Sequence, residues 1–181
     1  LKENTIIDTF WLIVKYILSA SVIALIIRGF VLIPVPVEGN SMSNTLIQGD
    51  FVLMEKFTSI KRFDIIVFQM NDGTTYIKRV IGLPGDTISY RENQLYVNDE
   101  PVHEEFLQAN LAEDHEAIPF TNDFEFYELM GVKKLGKGSY FVLGDNRRVS
   151  KDSRSFGSIS EENIIGKARL IFYPFWRIRL I

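Results

Sequence analysis

From Phe10 to Ile33 the chain is almost continuously apolar, and its only charges there are Lys15 near one end and Arg28 near the other. Both are long side chains that can reach an interface from a position just inside it. As a helix, the run from Phe10 to Ile27 spans roughly 27 Å at about 1.5 Å per residue. That is close to the hydrocarbon core of a bilayer, about 30 Å. The spacing predicts one transmembrane anchor over 10–33, a short tail over 1–9 and a folded domain over 34–181. Length alone leaves two alternatives open. The core from Tyr16 to Ile27, with Ser19, Ala20 and Ser21, has the length of a cleavable targeting segment, and a buried helix of a soluble core has a similar composition. Trp11 and Tyr16 beside Lys15 suit a membrane interface. Lys2 and Lys15 on the short side give little guide to orientation.

Pro34 and Pro36 end any helix, and the pattern beyond them changes to short β-branched and aromatic runs. Phe51 to Met54, Ile65 to Phe68, Tyr76 to Ile81, Thr87 to Tyr90, Gln94 to Val97, Tyr140 to Leu143 and Ala168 to Tyr173 read as strands. Turn pairs separate them: Gly49–Asp50, Asp72–Gly73, Pro84–Gly85, Asn98–Asp99 and Gly144–Asp145. This predicts a mainly β domain of folded antiparallel sheets. The acidic stretch from Glu104 to Glu128 keeps neither period for long and reads as a solvated excursion. A chain of 181 residues holds one anchor and one such domain, hence a single site.

Composition narrows the chemistry. A formal charge of −3 offers no broad basic field for nucleic-acid phosphates. The absence of cysteine removes thiol nucleophiles, disulfides and zinc ribbons. His103 and His115 are the only imidazoles, and both fall in or beside the excursion, poor scaffolding for a Ser-His-Asp base and without the ligand spacing of a zinc-protease helix. A serine hydrolase built from these residues therefore needs a lysine base.

Three segments supply candidates. In Gly39-Asn40-Ser41-Met42-Ser43-Asn44, Ser41 lies in a turn directly beyond the apolar run. Gly-x-Ser alone is weak, since turn serines commonly cap backbone groups. Ser43 stands where the hydrolase elbow needs glycine, and Asn44 stands where a Ser-x-x-Lys motif needs lysine. In Tyr76-Ile77-Lys78-Arg79-Val80-Ile81-Gly82, side-chain alternation points Lys78 and Arg79 to opposite faces. A lysine base must be buried, so that its ammonium form is disfavoured; an exposed edge lysine is the commoner fate of a strand lysine. In Gly144-Asp145-Asn146-Arg147 through Gly157, short polar residues and opposite charges suit a loop held by its own hydrogen bonds. They suit a solvated turn equally well.

Together these segments resemble the type I signal peptidases, bacterial serine proteases with a Ser/Lys dyad, and most closely their Gram-positive type. The resemblance runs from the apolar helix to near the C-terminus and rests on three ordered motifs: Gly39 to Leu46, Tyr76 to Asp86, and Gly144–Arg147 with Ser150–Gly157. It implies Ser41 as nucleophile, Lys78 as general base, Ser150 as a hydroxyl orienting Lys78, and Asp152 with Arg154 as a structural ion pair. A second pair of Asp145 and Arg79 is expected, with Gly39 in the oxyanion region and Met42 on the wall of the substrate pocket. It further implies no cofactor or metal, secretory preproteins and the lipid membrane as partners, a cytoplasmic N-terminus and an extracytoplasmic catalytic domain. Two departures stand out. Asn44 replaces the proline that usually follows Ser-Met-x, which loosens the turn, and Gly39 stands where some relatives carry an oxyanion-stabilising serine. The alternative within the resemblance is a non-catalytic, signal-peptidase-like assembly factor, as in pilus biogenesis, that keeps the fold and acts by binding.

Overall fold

The computed structural model describes residues 2–30, 33–56 and 59–181, with the helical side chains described over 7–23. The chain divides into two compact units, 1–33 and 34–181. The first is the helix α1, Lys2–Phe30. It begins well before Phe10, so the predicted tail is helical. Phe10, Trp11, Leu12 and Ile13, which together point around the whole helix circumference, are all exposed. Among the described residues no helix is long and apolar enough to cross a membrane. The predicted span 10–33 lies partly outside the described residues, which omit the side chains of 24–30 and all of 31 and 32.

Strand β1, Ile33–Pro36, starts at the residue where the anchor was expected to end. There follow β2, Phe51–Glu55, β3, Ile65–Gln69, β4, Thr75–Gly82, β5, Ile88–Arg91, β6, Gln94–Val97, and β7, Glu100–Val102. Next are helix α2, Gln108–Glu113, strand β8, Phe124–Glu125, helix α3, Phe126–Met130, and β9, Ser139–Leu143. Helix α4, Ser153–Phe156, β10, Ile159–Ser160, β11, Ile164–Tyr173, and β12, Arg179–Leu180, complete the chain. All seven strands expected from the sequence are present.

Among the described residues there are two sheets. The larger has the order β1-β2-β11-β3-β4-β9-β10, with β12 also on β11; the smaller runs β7-β6-β5-β8. β3 is buried along Ile65 to Phe68, as an interior strand should be. The β6–β7 turn has positive φ at both Asn98 and Asp99, which tight hairpin turns require and which asparagine and aspartate tolerate. One apolar cluster, including Ile81, Tyr90, Leu95 and Phe141, joins the small sheet to β4 and β9. Another, including Val37, Met42, Leu46, Val52 and Ile171, seats the turn that carries Ser41.

Two edges of the large sheet border the site. Val37 N donates to Asp50 O at 2.8 Å and Val37 O accepts from Gly49 N at 3.1 Å, so strand alternation turns the backbone of Pro34 and Pro36 away from β2. On β4, pairing with β9 starts at Arg79, while among the described residues Thr75 to Lys78 pair only with β3.

The acidic excursion is more structured than the sequence suggested. Leu107, Asn110, Phe120, Thr121 and Phe126 are buried, and so is Glu104. Glu104 Oε1 accepts from Arg147 Nη2 at 2.6 Å, and the Tyr90 hydroxyl donates to Glu104 Oε2 while accepting from Arg147 Nη1. Burial pushes the Tyr90 hydroxyl well above its ordinary pKa.

Candidate active site

Ser41 sits in the turn after β1, where Leu46 N donates to Met42 O at 2.8 Å and Ser43 N to Asn40 O at 3.2 Å. Gly39 opens the turn at φ +75°, a left-handed conformation that is easy for glycine and strained for residues with a Cβ. Asn146 N donates to Ser41 O at 3.0 Å, which fixes the Ser41 turn to the loop after β9. Among the described residues the Ser41 N–H has no acceptor.

Lys78 Nζ donates to Ser41 Oγ at 2.6 Å and to Ile77 O at 3.0 Å. Lys78 is 3 % exposed. Burial brings its amine down from 10.5 to about 8, against the opposing pull of the Asp152 and Asp145 carboxylates. The neighbouring cation is buried as well, on the opposite face. Arg79 donates through Nε to Asp145 Oδ1 at 2.8 Å and through Nη2 to Asp145 Oδ2 at 2.6 Å, the bidentate geometry that fits guanidinium to carboxylate. Arg79 Nη1 also donates to Phe63 O at 2.8 Å, and Thr45 Oγ1 to Asp145 Oδ2 at 2.5 Å. Strand alternation thus sends one lysine to the hydroxyl and one arginine to the loop that holds the hydroxyl's backbone.

Asp152 and Arg154 pair through Arg154 Nη2 to Asp152 Oδ2 at 2.9 Å and Nε to Oδ1 at 2.9 Å. The same carboxylate accepts from Gly144 N at 3.0 Å. Ser150 is placed differently from expectation. Lys78 receives its second contact from the Ile77 carbonyl, and among the described residues the buried Ser150 Oγ has no hydrogen-bond partner. Ser150 packs on Gly144, where an added Cβ would lie 2.1 Å from Ser150 Oγ and 2.4 Å from Ser41 O. Met42 is buried and, with Gly39, Ser41 and Lys78, lines an open cleft of about 890 Å³. The outward edge of β1 and the unpaired half of β4 form its walls, with Val149 and Lys151 beside them. His103 and His115 are exposed; His103 lies 3.4 Å from the Gln108 amide nitrogen.

Sequence reasoning missed Glu104, Asn110 and Asp114, which tie the excursion to the site. Asp114 Oδ2 accepts from Arg148 Nη2 at 2.6 Å. The available signal was charge imbalance: Gly144 to Gly157 carries Arg147, Arg148, Lys151 and Arg154 against Asp145 and Asp152. An acidic segment elsewhere had to neutralise the surplus.

A buried amine bonded to a turn hydroxyl at the floor of an open cleft is the working arrangement of a serine hydrolase without histidine. Comparison with known proteins agrees. The family described as signal peptidase, peptidase S26, matches residues 10–173. Signal peptidase I V of Bacillus subtilis (strain 168) is 44% identical over 161 residues, 87% of this chain and 94% of its own. Signal peptidase IB of Staphylococcus aureus (strain COL) is 38% identical over 174 residues, 90% of this chain and 91% of its own. The crystal structure of a signal peptidase I from Enterococcus faecalis V583 aligns with a TM-score of 0.58 at 36% identity, covering 62% of this chain and 98% of that one. The chain belongs to the signal peptidase family, peptidase S26, and is a serine endopeptidase.

Proposed function

We propose that this protein removes signal peptides from exported preproteins, cutting after a small residue, with Ser41 as nucleophile and Lys78 as general base. The observation that carries the reading is the 2.6 Å contact between Lys78 Nζ and Ser41 Oγ at a buried amine. Neutral Lys78 takes the hydroxyl proton as Ser41 Oγ attacks the scissile carbonyl, and the resulting ammonium returns that proton to the leaving amine. Water, deprotonated by the same amine, then attacks the ester carbonyl and releases Ser41. The free Ser41 N–H is a suitable donor to the tetrahedral oxyanion.

The two open sheet edges favour a substrate that enters the cleft as an extended strand, with alternate side chains directed to the floor near Met42. Strand addition of this kind supplies backbone hydrogen bonds, while shallow apolar pockets select small residues.

The membrane anchor is part of the same proposal. Helix α1 exposes apolar side chains on every face over its described residues, a pattern that lipid accommodates and water does not. In the second unit, Phe175, Trp176, Ile178 and Leu180 are exposed close together in sequence, suited to an interface. Anchoring would raise the effective concentration of a cut site whose own apolar segment lies in the bilayer, with the 34–181 domain on the extracytoplasmic side.

The test is cleavage of a preprotein by the full chain and by Ser41→Ala and Lys78→Ala. Both variants are expected to lose turnover; wild-type cleavage by either would overturn the assignment.

A further inference from the structure

Asn110, on the short helix α2, is buried at 7 % exposure. Its Nδ2 donates to Ser43 O at 2.7 Å and to Asp145 O at 3.2 Å. Both neighbours are carbonyl oxygens, so only the NH₂ end of the amide fits there. Its Oδ1 is buried without a partner among the described residues, and the side chain is therefore anchored by donation alone. Ser43 lies two residues after Ser41, and Asp145 immediately precedes the Asn146 whose N–H holds Ser41 O. The two loops are thus joined directly, through Asn146 N to Ser41 O and Thr45 Oγ1 to Asp145 Oδ2, and once more through Asn110, which among the described residues alone bridges their backbone carbonyls. The helix and the residues flanking it are tied to both loops: Asn44 Nδ2 donates to Glu113 Oε2 at 3.2 Å, Arg147 pairs with Glu104 before the helix, and Arg148 pairs with Asp114 just after it.

We propose that Asn110 is a positioning residue, which holds the Ser41 turn in register with the Asp145–Asn146 loop so that Ser41 Oγ stays within reach of Lys78 on β4. The acidic excursion is then a brace for the site. This inference rests on the Ser41/Lys78 assignment. It adds that a segment far from the three motifs sets how often the hydroxyl is aligned for attack.

Replacement by aspartate separates donation from packing. Asn110→Asp keeps shape and volume but presents oxygen to two carbonyls, whereas Asn110→Ala removes volume and donors together. A packing role ranks alanine as the more damaging change; a donating role ranks aspartate as equally or more damaging. With the full chain in detergent and a preprotein substrate, Asn110→Asp is expected to lower kcat by about 10- to 100-fold, the scale of a small misplacement of a reacting group. KM is expected to stay within about twofold, because the cleft walls are untouched. A control in the small sheet, Val97→Ala, chosen for a similar loss of thermal stability, should keep its kcat.

Wild-type kcat in Asn110→Asp, or kcat losses that simply follow melting temperature in all three variants, would overturn the proposal. Should Asn110→Asp fail to fold, Asn110→Ala is read instead below its melting temperature: a kcat loss at constant KM supports the proposal, and unchanged kcat overturns it. An active Ser41→Ala would place the failure in the proposed function. An inactive Ser41→Ala beside a fully active Asn110→Asp would leave that function standing and remove only this inference.

Discussion

Replacing Lys78 with methionine should abolish cleavage and, near neutral pH, make the protein more stable. The side chains are similar in length, and the site holds Lys78 at 3 % exposure with its amine brought from 10.5 to about 8 by burial. Below pH 8 the lysine is protonated in both folded and unfolded chains, and the folded protein bears the full cost of a buried ammonium. That cost is about 3 kcal/mol, from the shift at about 1.4 kcal/mol per pH unit. Methionine removes it and gives up the hydrogen bond to Ser41, worth about 1 kcal/mol. A net gain of about 2 kcal/mol remains, which raises the melting temperature by roughly 4–8 °C in a chain of this size.

The sign of the pH dependence follows from proton counting. Between pH 8 and 10.5 the unfolded lysine keeps its proton and the folded one does not, so wild-type stability rises with pH and the advantage of methionine shrinks. Thermal melts of the detergent-solubilised wild type and Lys78→Met at pH 6.5 and 9.5 measure the gap. The same ionisation sets the rate: the neutral amine is about 9 % of the total at pH 7, roughly 300-fold more than an unshifted lysine offers. The wild-type kcat/KM should climb about tenfold per pH unit below 8 and level off above it. A methionine variant equally destabilised at both pH values, together with a flat rate profile from pH 6 to 9, would refute this reasoning.

Gly144→Ala should be nearly inactive, because the added methyl would overlap Ser150 Oγ and the Ser41 carbonyl. Displacement of Ser41 by an ångström costs on the order of 100-fold in kcat, and a single-turnover assay that returned the wild-type rate would contradict the packing. Phe175→Ser with Trp176→Ser should weaken binding of the protein to lipid vesicles and leave cleavage of a short soluble peptide within about twofold, since interfacial affinity scales with buried apolar area. Vesicle flotation and peptide kinetics report the two effects separately.

Much of this architecture can be read from the residues. The seven strands were visible from their β-branched or aromatic periodicity, and all but Ala168 to Tyr173 lie near a turn pair, of which Asn98–Asp99 even carries the positive φ that its chemistry allows. Asp145–Arg79 and Asp152–Arg154 follow from motif resemblance, since their partners lie in the matched segments. The burial of both Lys78 and Arg79 was harder to see. Alternation sends them to opposite faces, and only tertiary packing covers both: Lys78 lies against the Ser41 turn, and Arg79 lies against Asp145 and the ring of Phe106, on the segment before α2. Glu104 and Asn110 were illegible for a related reason. Their segment lacks periodicity because it is held by polar contacts to two distant loops, and a contact made with loops some 35 to 67 residues away leaves no local pattern. Ser150 shows the reverse case, where the motif suggested a bond to Lys78 that the Ile77 carbonyl makes instead.

The outward edge of β1 carries Pro34 and Pro36, which have carbonyls and no N–H groups to offer. Such a rim can receive hydrogen bonds along that stretch but cannot return them, and a copy of the same rim brought alongside would meet carbonyl against carbonyl. Copies of the protein are thereby kept from zipping together through this edge. The gap between β1 and β4 is left to guests that bring their own donors.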